Sequence, residues 1–435
     1  MRFINLLENV TFVGNDNCIV KMKKLKASAL PTVMVISVLV CLFVLFAFAL
    51  FDINALFYAN YHSIRQQKEN LNSAFVLYDN DSSLVSSLEN SNYEYQLYKD
   101  EPSSVVHFAI RPWGFYESVC VHSISNDYHS IRLLGKTQDC EEEAALWVCS
   151  RDMALSLAGT TRIDGPVFAP INGINNIQLG NTPFSGKEID NSDIHLAEKE
   201  LPDVDSVYLK QIESLCKWEK VASLPSQEEK TKQYYSFKEE TSRFALPRTT
   251  EGLVLRGNLM LYADEVTISK ESIVSDVIVV ARKVTVEAGF VGSLQILASD
   301  TVILKENVQL RYPSGVYLRG NDRKTYLNIG SKSCLEGYAI VFGSVERGNS
   351  LTVDPNYRQE SDAVFHGLLY VDGIADMNGT LLGAVYVKEC YYLPENGIYA
   401  GTLYNVKIAR DNKQIAYPFF FKESEYHREE IKSVY

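Results

Sequence analysis

From Ala27 to Phe51 the chain reads ASALPTVMVISVLVCLFVLFAFALF, 25 residues without a charge. An α-helix rises ~1.5 Å per residue, so about 20 residues cross a hydrocarbon core of ~30 Å. A core helix of a soluble protein keeps a polar face over seven turns, and this run has none. A cleavable signal peptide has an apolar run of about 7–15 residues ending in a small-x-small site. Here the run is longer, and Phe51-Asp52-Ile53-Asn54-Ala55-Leu56 offers a poor site. Residues 27–51 therefore predict a transmembrane helix in contact with the lipid bilayer. Lys21, Lys23, Lys24 and Lys26 precede it, Asp52 follows, and the next bases are Arg65 and Lys68. The positive-inside rule then makes residues 1–26 a cytoplasmic basic stub, with the large remainder outside. That is a single-pass protein of the cell inner membrane with a periplasmic or extracellular domain. Met22 opens MKKLKASALP, which reads as a natural start and makes 1–21 an over-extension.

Charge narrows the partners. The chain has 42 Lys+Arg against 54 Asp+Glu, a net charge of -12. Residues 1–30 hold five basic and two acidic groups, hence +3, which leaves -15 beyond them. No basic stripe is available for a phosphate backbone, so nucleic acid is not an expected partner. The 26 Tyr and 20 Phe suit strands better than disorder. Of eight cysteines, Cys18 precedes the span and Cys41 lies in it. Cys120, Cys140, Cys149, Cys216, Cys334 and Cys390 remain, enough for up to three disulfides in an oxidising compartment or for free buried thiols. No CxxC pair or Cys/His spacing of a zinc site occurs, so no metal is expected.

Residues 52–75 predict a helical stalk: the stretch after Tyr58 lacks Gly and Pro, and Leu56, Ile64, Leu71 and Phe75 fall near one face. The basic stub, KLKASALPTVMVISVLV and this projecting helix resemble the N-terminus of pseudopilins and minor type IV pilins over residues 22–75. That family's glutamate, five residues into the mature chain, is missing; Thr32 stands near its place. The missing glutamate suits a tip or accessory subunit, or an ordinary signal anchor, and the resemblance implies pseudopilin-like partners.

Residues 76–150 predict a β-rich domain. Ser104-Val105-Val106-His107-Phe108-Ala109-Ile110 and Tyr116-Glu117-Ser118-Val119-Cys120-Val121-His122 flank the turn-forming Arg111-Pro112-Trp113-Gly114, a hairpin. His107 and His122 lie across it and lack a third ligand or nearby acid. Residues 151–195 look like first solenoid rungs, and 196–250 like a helical insertion with Val204, Val207, Ile212, Leu215 and Trp218 at helical spacing. Over 251–410 the order is repetitive. Ala263, Ala281 and Ala298 are 18 and 17 residues apart, each followed by two polar residues and a β-branched triplet. Tyr370, Tyr386 and Tyr404 return at 16 and 18. Short strands at ~17–18 residues share one core when stacked, which predicts a parallel β-solenoid rather than a sandwich of hairpins. Gly289, Gly292, Gly315, Gly330, Gly343, Gly373, Gly379, Gly383 and Gly401 are candidate positive-φ corners. Residues 411–435 predict a C-terminal cap or tail, with Tyr417-Pro418-Phe419-Phe420-Phe421 as an apolar plug or docking patch and Lys422-Glu423-Ser424-Glu425 as its charged skirt. The fold class is thus mainly β: an N-terminal transmembrane α-helix, a small β-meander, and a parallel β-solenoid with a helical insertion.

The rungs resemble the bactofilin-type polymer-forming β-helix. GTTRIDGPVFAPINGI, GSLQILASDTVILKENVQLRYPSGVYL and the KLKASAL stub together are similar to an uncharacterised family of exported single-span proteins of Bacteroidetes, associated with pseudopilin-like neighbours. That resemblance implies architecture and no activity.

The chain carries no GxSxG, P-loop, GxGxxG or HExxH. A solenoid enzyme acting on glycans needs two or three converging carboxylates. The candidates are Asp354, Asp362, Asp372 and Asp376 with His366, Arg347 and Arg358, and the NxD, DD and RxK signatures of solenoid pectinases are missing. Tyr386, Tyr391, Tyr392, Tyr399 and Tyr404 could form a sugar-stacking platform or pack a solenoid's end. We therefore expect no catalytic, cofactor or metal residues. The expectation is a membrane-anchored envelope structural or assembly protein, an accessory component of a pseudopilus-like or type IV pilus-like machine. The competing class is a membrane-tethered carbohydrate-active or glycan-binding solenoid.

Overall fold

The computed structural model describes residues 29–80, 93–123, 128–137, 144–149, 153–216, 224, 234–320, 325–343, 353–410, 415–422 and 427–434. The basic stub, Cys18, Met22, Cys140, Trp218, Arg347, Glu423 and Glu425 lie outside the described residues. The protein is mainly strands, with one long apolar helix, a small antiparallel sheet, a large parallel sheet and a second helix. Its chain divides between Glu69 and Asn70 into two units.

Helix α1 spans Ala29–Asn80, 52 residues. Pro31 falls in its first turn, where the absent N–H has no helical partner to lose, and no Gly or Pro follows. In the first unit its apolar side chains are bare: Leu30 is 75% exposed, and Phe43 and Phe51 72% each. None of its most apolar stretch is buried, and it is long and apolar enough to cross a membrane. A core helix would hide that surface, and its exposure is consistent with contact with a lipid bilayer.

In the second unit, the Asn70–Asn80 end of α1 extends past the expected stalk and packs on the meander. Its strands are β1 (Tyr93–Gln96), β2 (Val105–Trp113), β3 (Tyr116–Ser123) and β4 (His129–Lys136), paired antiparallel in chain order. Leu71, Ala74, Phe75 and Tyr78, at i, i+3, i+4 and i+7, face Val106, Phe108, Val119, Val121 and Leu134. The hairpin turns at Gly114-Phe115, two residues later than the tetrad suggests, so Arg111 and Pro112 belong to β2. His107 and His122 pair directly across β2 and β3. A fifth strand, Arg428–Val434, closes the sheet against β4. The C-terminal segment is therefore built into the meander and is not a free tail.

The solenoid follows the repeat. Strands Val254–Ile268, Ile273–Val286 and Val291–Leu304 stack in parallel with Ala263, Ala281 and Ala298 in one column. Beside it runs an interior column of Leu261, Val279, Ile296, Val316, Ala339, Leu369 and Val385, all buried. Period-two alternation sends the next residue of each rung outward, giving an outer column of Tyr262, Val280, Leu297, Tyr317, Ile340, Tyr370 and Tyr386. Tyr404 does not continue it, because Thr402–Tyr404 pairs with Leu155–Ala158 in a separate sheet. Trp147 takes the next place above Tyr386, followed by Phe168 and His195. The rungs of 146–196 thus stack after the last C-terminal rung, not before Val254. Residues 197–241 connect the two ends, and strand Ser242–Ala245 starts the stack on the far side.

The outer column is a second core. It is covered by Trp113, Phe115 and Tyr116 of the hairpin, by Leu209 and Ile212 of helix α2 (Ser206–Leu215), and by Tyr417 and Phe420. Asp205 caps α2, accepting from the backbone N–H groups of Val207 and Tyr208. Val207 is 64% exposed, and the buried stripe shifts to Leu209 and Ile212. Fully buried Gln295 ties the hairpin down. Its Oε1 accepts from Phe115 N (3.2 Å) and Tyr338 Oη (2.7 Å), and its Nε2 donates to Trp113 O (3.0 Å). Gln295→Leu leaves those groups buried without this partner, so a loss of about 2 kcal/mol is expected in unfolding of the full-length protein in detergent. An unchanged midpoint would show that the hairpin docks by apolar contact alone.

Candidate functional site

The carboxylates do not converge. Asp372 and Asp376 share one strand, Val364–Met377, with Asp372 inside a register shift between Val371 and Ile374 and Asp376 beyond it. Asp372 pairs with Lys388 (2.6 Å), which also reaches Glu200 (3.6 Å). Asp376 has no exposed side-chain surface; its Oδ2 lies 3.3 Å from Arg358 Nε, and its Oδ1 accepts from Asn378 Nδ2 (2.9 Å). Burial pushes its carboxyl above the usual range, opposed by the Asn378 hydrogen bond and the Arg358 charge. Arg358 is otherwise held by the Leu393 carbonyl (3.2 Å) and, more loosely, Glu360 (3.9 Å). Asp362 is exposed and accepts from Ser331 and Ser361, while Asp354 is exposed. Buried His366 sits in register between Glu336 and Leu382. Asp372 and Asp376 are thus each held by a cation, and Asp354 and Asp362 are open to water. Among the described residues, no group of three or more His, Cys, Asp or Glu could hold a metal ion.

The tyrosines also divide. Tyr386 packs on Phe421 (ring centroids 4.9 Å apart), and buried Tyr391 donates to Glu389 Oε2 (3.3 Å). Tyr392 lies between Tyr399 (6.0 Å, planes 27° apart) and Tyr404 (4.7 Å, 37°). A Cβ on Gly397 would meet the Tyr399 ring at 2.8 Å, and one on Gly159 the Tyr404 ring at 2.9 Å. Tyr386 and Tyr391 are buried, whereas Tyr392 and Tyr404 are half-buried and Tyr399 is exposed.

A small cleft, mostly apolar, lies between the last C-terminal rung and Val148. Cys149, Met153, Lys388, Glu389 and Cys390 are among its lining residues. Burial pushes the Cys390 thiol up to about 12, so it stays protonated and a poor nucleophile. Cys41, Cys120, Cys216, Cys334 and Cys390 are free thiols. Burial likewise raises Cys216 to about 12 and Cys334 to about 11.

A further polar cluster lies where sequence patterns gave no hint, around the Asn70–Asn80 end of α1. The Arg132 guanidinium lies 4.1 Å from the Phe75 ring centroid, and Arg428 4.7 Å from that of Tyr78. Arg132 also donates to Asn72 Oδ1 (2.9 Å) and pairs with Glu430 (3.0 Å). Glu117 Oε2 accepts from Tyr78 Oη (2.9 Å) and Arg428 Nε (3.1 Å). Phe75 read from sequence only as part of an apolar stripe, Tyr78 lies beyond the expected stalk, and their arginines arrive from strands 57 and 350 residues on. The arrangement holds a helix to a sheet and shows no group poised for covalent chemistry. Comparisons with protein families, with curated proteins and with solved structures found no match to this chain.

Proposed function

We propose that the protein is a membrane-anchored structural or assembly component of the cell envelope, an accessory subunit of a pseudopilus-like or type IV pilus-like machine. Residues 27–51 sit in the inner membrane with the basic stub in the cytoplasm and the β-rich unit outside, and the protein acts through contacts with other envelope proteins. The observation that carries this reading is the bare apolar surface of α1 before Glu69. Such a surface has its lowest free energy in lipid, and the lysines before it set the orientation. The separately engaged carboxylates and self-packed tyrosines favour contact over glycan chemistry.

The test is fractionation of the tagged full-length protein followed by pull-down from detergent-solubilised membranes. The expected result is a protein that resists carbonate extraction and brings pseudopilin-like chains with it. An uncut, detergent-independent soluble product overturns the anchor, and recovery as a lone monomer overturns the assembly role.

A further inference from the structure

Asp79 occupies the last turn of α1, where unpaired carbonyls and the negative end of the helix dipole already disfavour an anion. Its Oδ1 is enclosed and has no hydrogen-bond partner among the described residues, and the same holds for Arg132 Nε on β4. Two orphaned polar atoms of opposite character at one helix end are unusual in a folded core. The surrounding charges are committed elsewhere. Arg132 bonds Asn72 and Glu430, and Arg428, from the closing strand, bonds Glu117 on β3. Glu430 adds a negative charge from the closing strand. Strand β2 offers Val106 and Phe108 to the helix, with the alternation placing His107 on its other face. Burial is the largest influence on the Asp79 carboxyl and pushes it up to about 6; the charges of Arg132 and Arg428 pull it down and that of Glu430 pushes it up.

We propose that Asp79 is a proton-operated latch: protonated, it lets the Asn70–Asn80 end of α1 seat on the five-stranded sheet, and ionised, it loosens that seat. The sign follows from linkage. An undocked Asp titrates near ~3.9, so between about pH 4 and 6 the docked state holds a proton that the undocked state has released. Docking is therefore tightest in acid, weakens as pH rises through that window, and levels off above it. The device needs only groups of the second unit and stands apart from the assembly reading.

Hydrogen exchange of the full-length protein in detergent, corrected for intrinsic rates, reads the latch at pH 4.5 and 7.5. Peptides covering residues 70–80 and 128–136 should be about tenfold more protected in acid, a value reduced from the full shift because Asp79 is part-exposed. Asp79→Asn should keep acid-level protection at both pH values. Asp79→Glu, which still titrates, should keep the pH response and guards against a variant that fails to fold. Equal protection of the native chain at the two pH values overturns the proposal, as does an Asp79→Asn protein with an undiminished pH response.

Discussion

Gly367→Ala is expected to cost the solenoid about 4 kcal/mol, a large share of the ~5–15 kcal/mol that holds a typical domain together. Gly337, Gly367 and Gly383 stack in one column of adjacent rungs, with φ of 134°, 131° and 121°. Only glycine adopts that backbone cheaply, and a side chain there adds about 1–3 kcal/mol of strain. The larger part is steric. A Cβ at Gly367 would sit 1.8 Å from the Gly337 carbonyl oxygen, and one at Gly383 2.2 Å from that of Gly367. Because the obstacle is backbone of the next rung, it yields only if the ladder itself parts. Gly289→Ala is the control: its φ is 80°, yet nothing lies within 4 Å of the added carbon, so only the strain of about 1 kcal/mol remains. Denaturant unfolding of the full-length proteins in detergent should separate the two by several kcal/mol. Equal losses would mean that rung stacking at this column is looser than the geometry requires.

That column also shows what the sequence could and could not disclose. Of the nine glycines expected at corners, Gly289, Gly383 and Gly401 do have positive φ. Gly315 is instead kept small by the Tyr338 ring, 2.2 Å from a Cβ there, and Gly330 and Gly379 by neighbouring backbone. Asp276, Asn307, Lys332 and Asn405 take positive φ without being glycine. Glycine marks either an unusual backbone or a close approach, and one sequence does not separate these. The alanine repeat was legible because Ala263, Ala281 and Ala298 stand in register, so spatial period became sequence period. Rung order was not, since a parallel rung adds equally well to either end and nothing local in Leu146–Val148 says that Trp147 will cap Tyr386. The helix-end cluster was hidden for a related reason: Arg132, Arg428 and Phe75 carry meaning only once the last strand returns to the meander.

The C-terminal aromatics carry the second large expectation. Phe420→Ala should lose about 3–5 kcal/mol and free the closing strand. As a plug on the solenoid's end, Phe420 would meet the last rung alone; it lies instead along the side of the stack. Its ring is 4.7 Å from Tyr370, 5.9 Å from Phe115 and 6.3 Å from Phe342, so it bridges several rungs and the hairpin tip. The flanking backbone is held as well. The Phe420 carbonyl accepts from Asp205 N (2.8 Å), Phe419 N donates to Phe115 O (2.9 Å), and Tyr417 exchanges both backbone bonds with Lys136. Removing the ring leaves a cavity at the point where hairpin, α2 and solenoid meet, and α2 loses the floor beneath its capping residue. The readouts are a lower unfolding midpoint and faster proteolysis of the C-terminal segment, with the oligomeric state unchanged. A plug would behave otherwise: its loss would bare a strand edge and drive association while the meander stayed intact. New oligomers with an unmoved midpoint would therefore return these residues to the end of the stack.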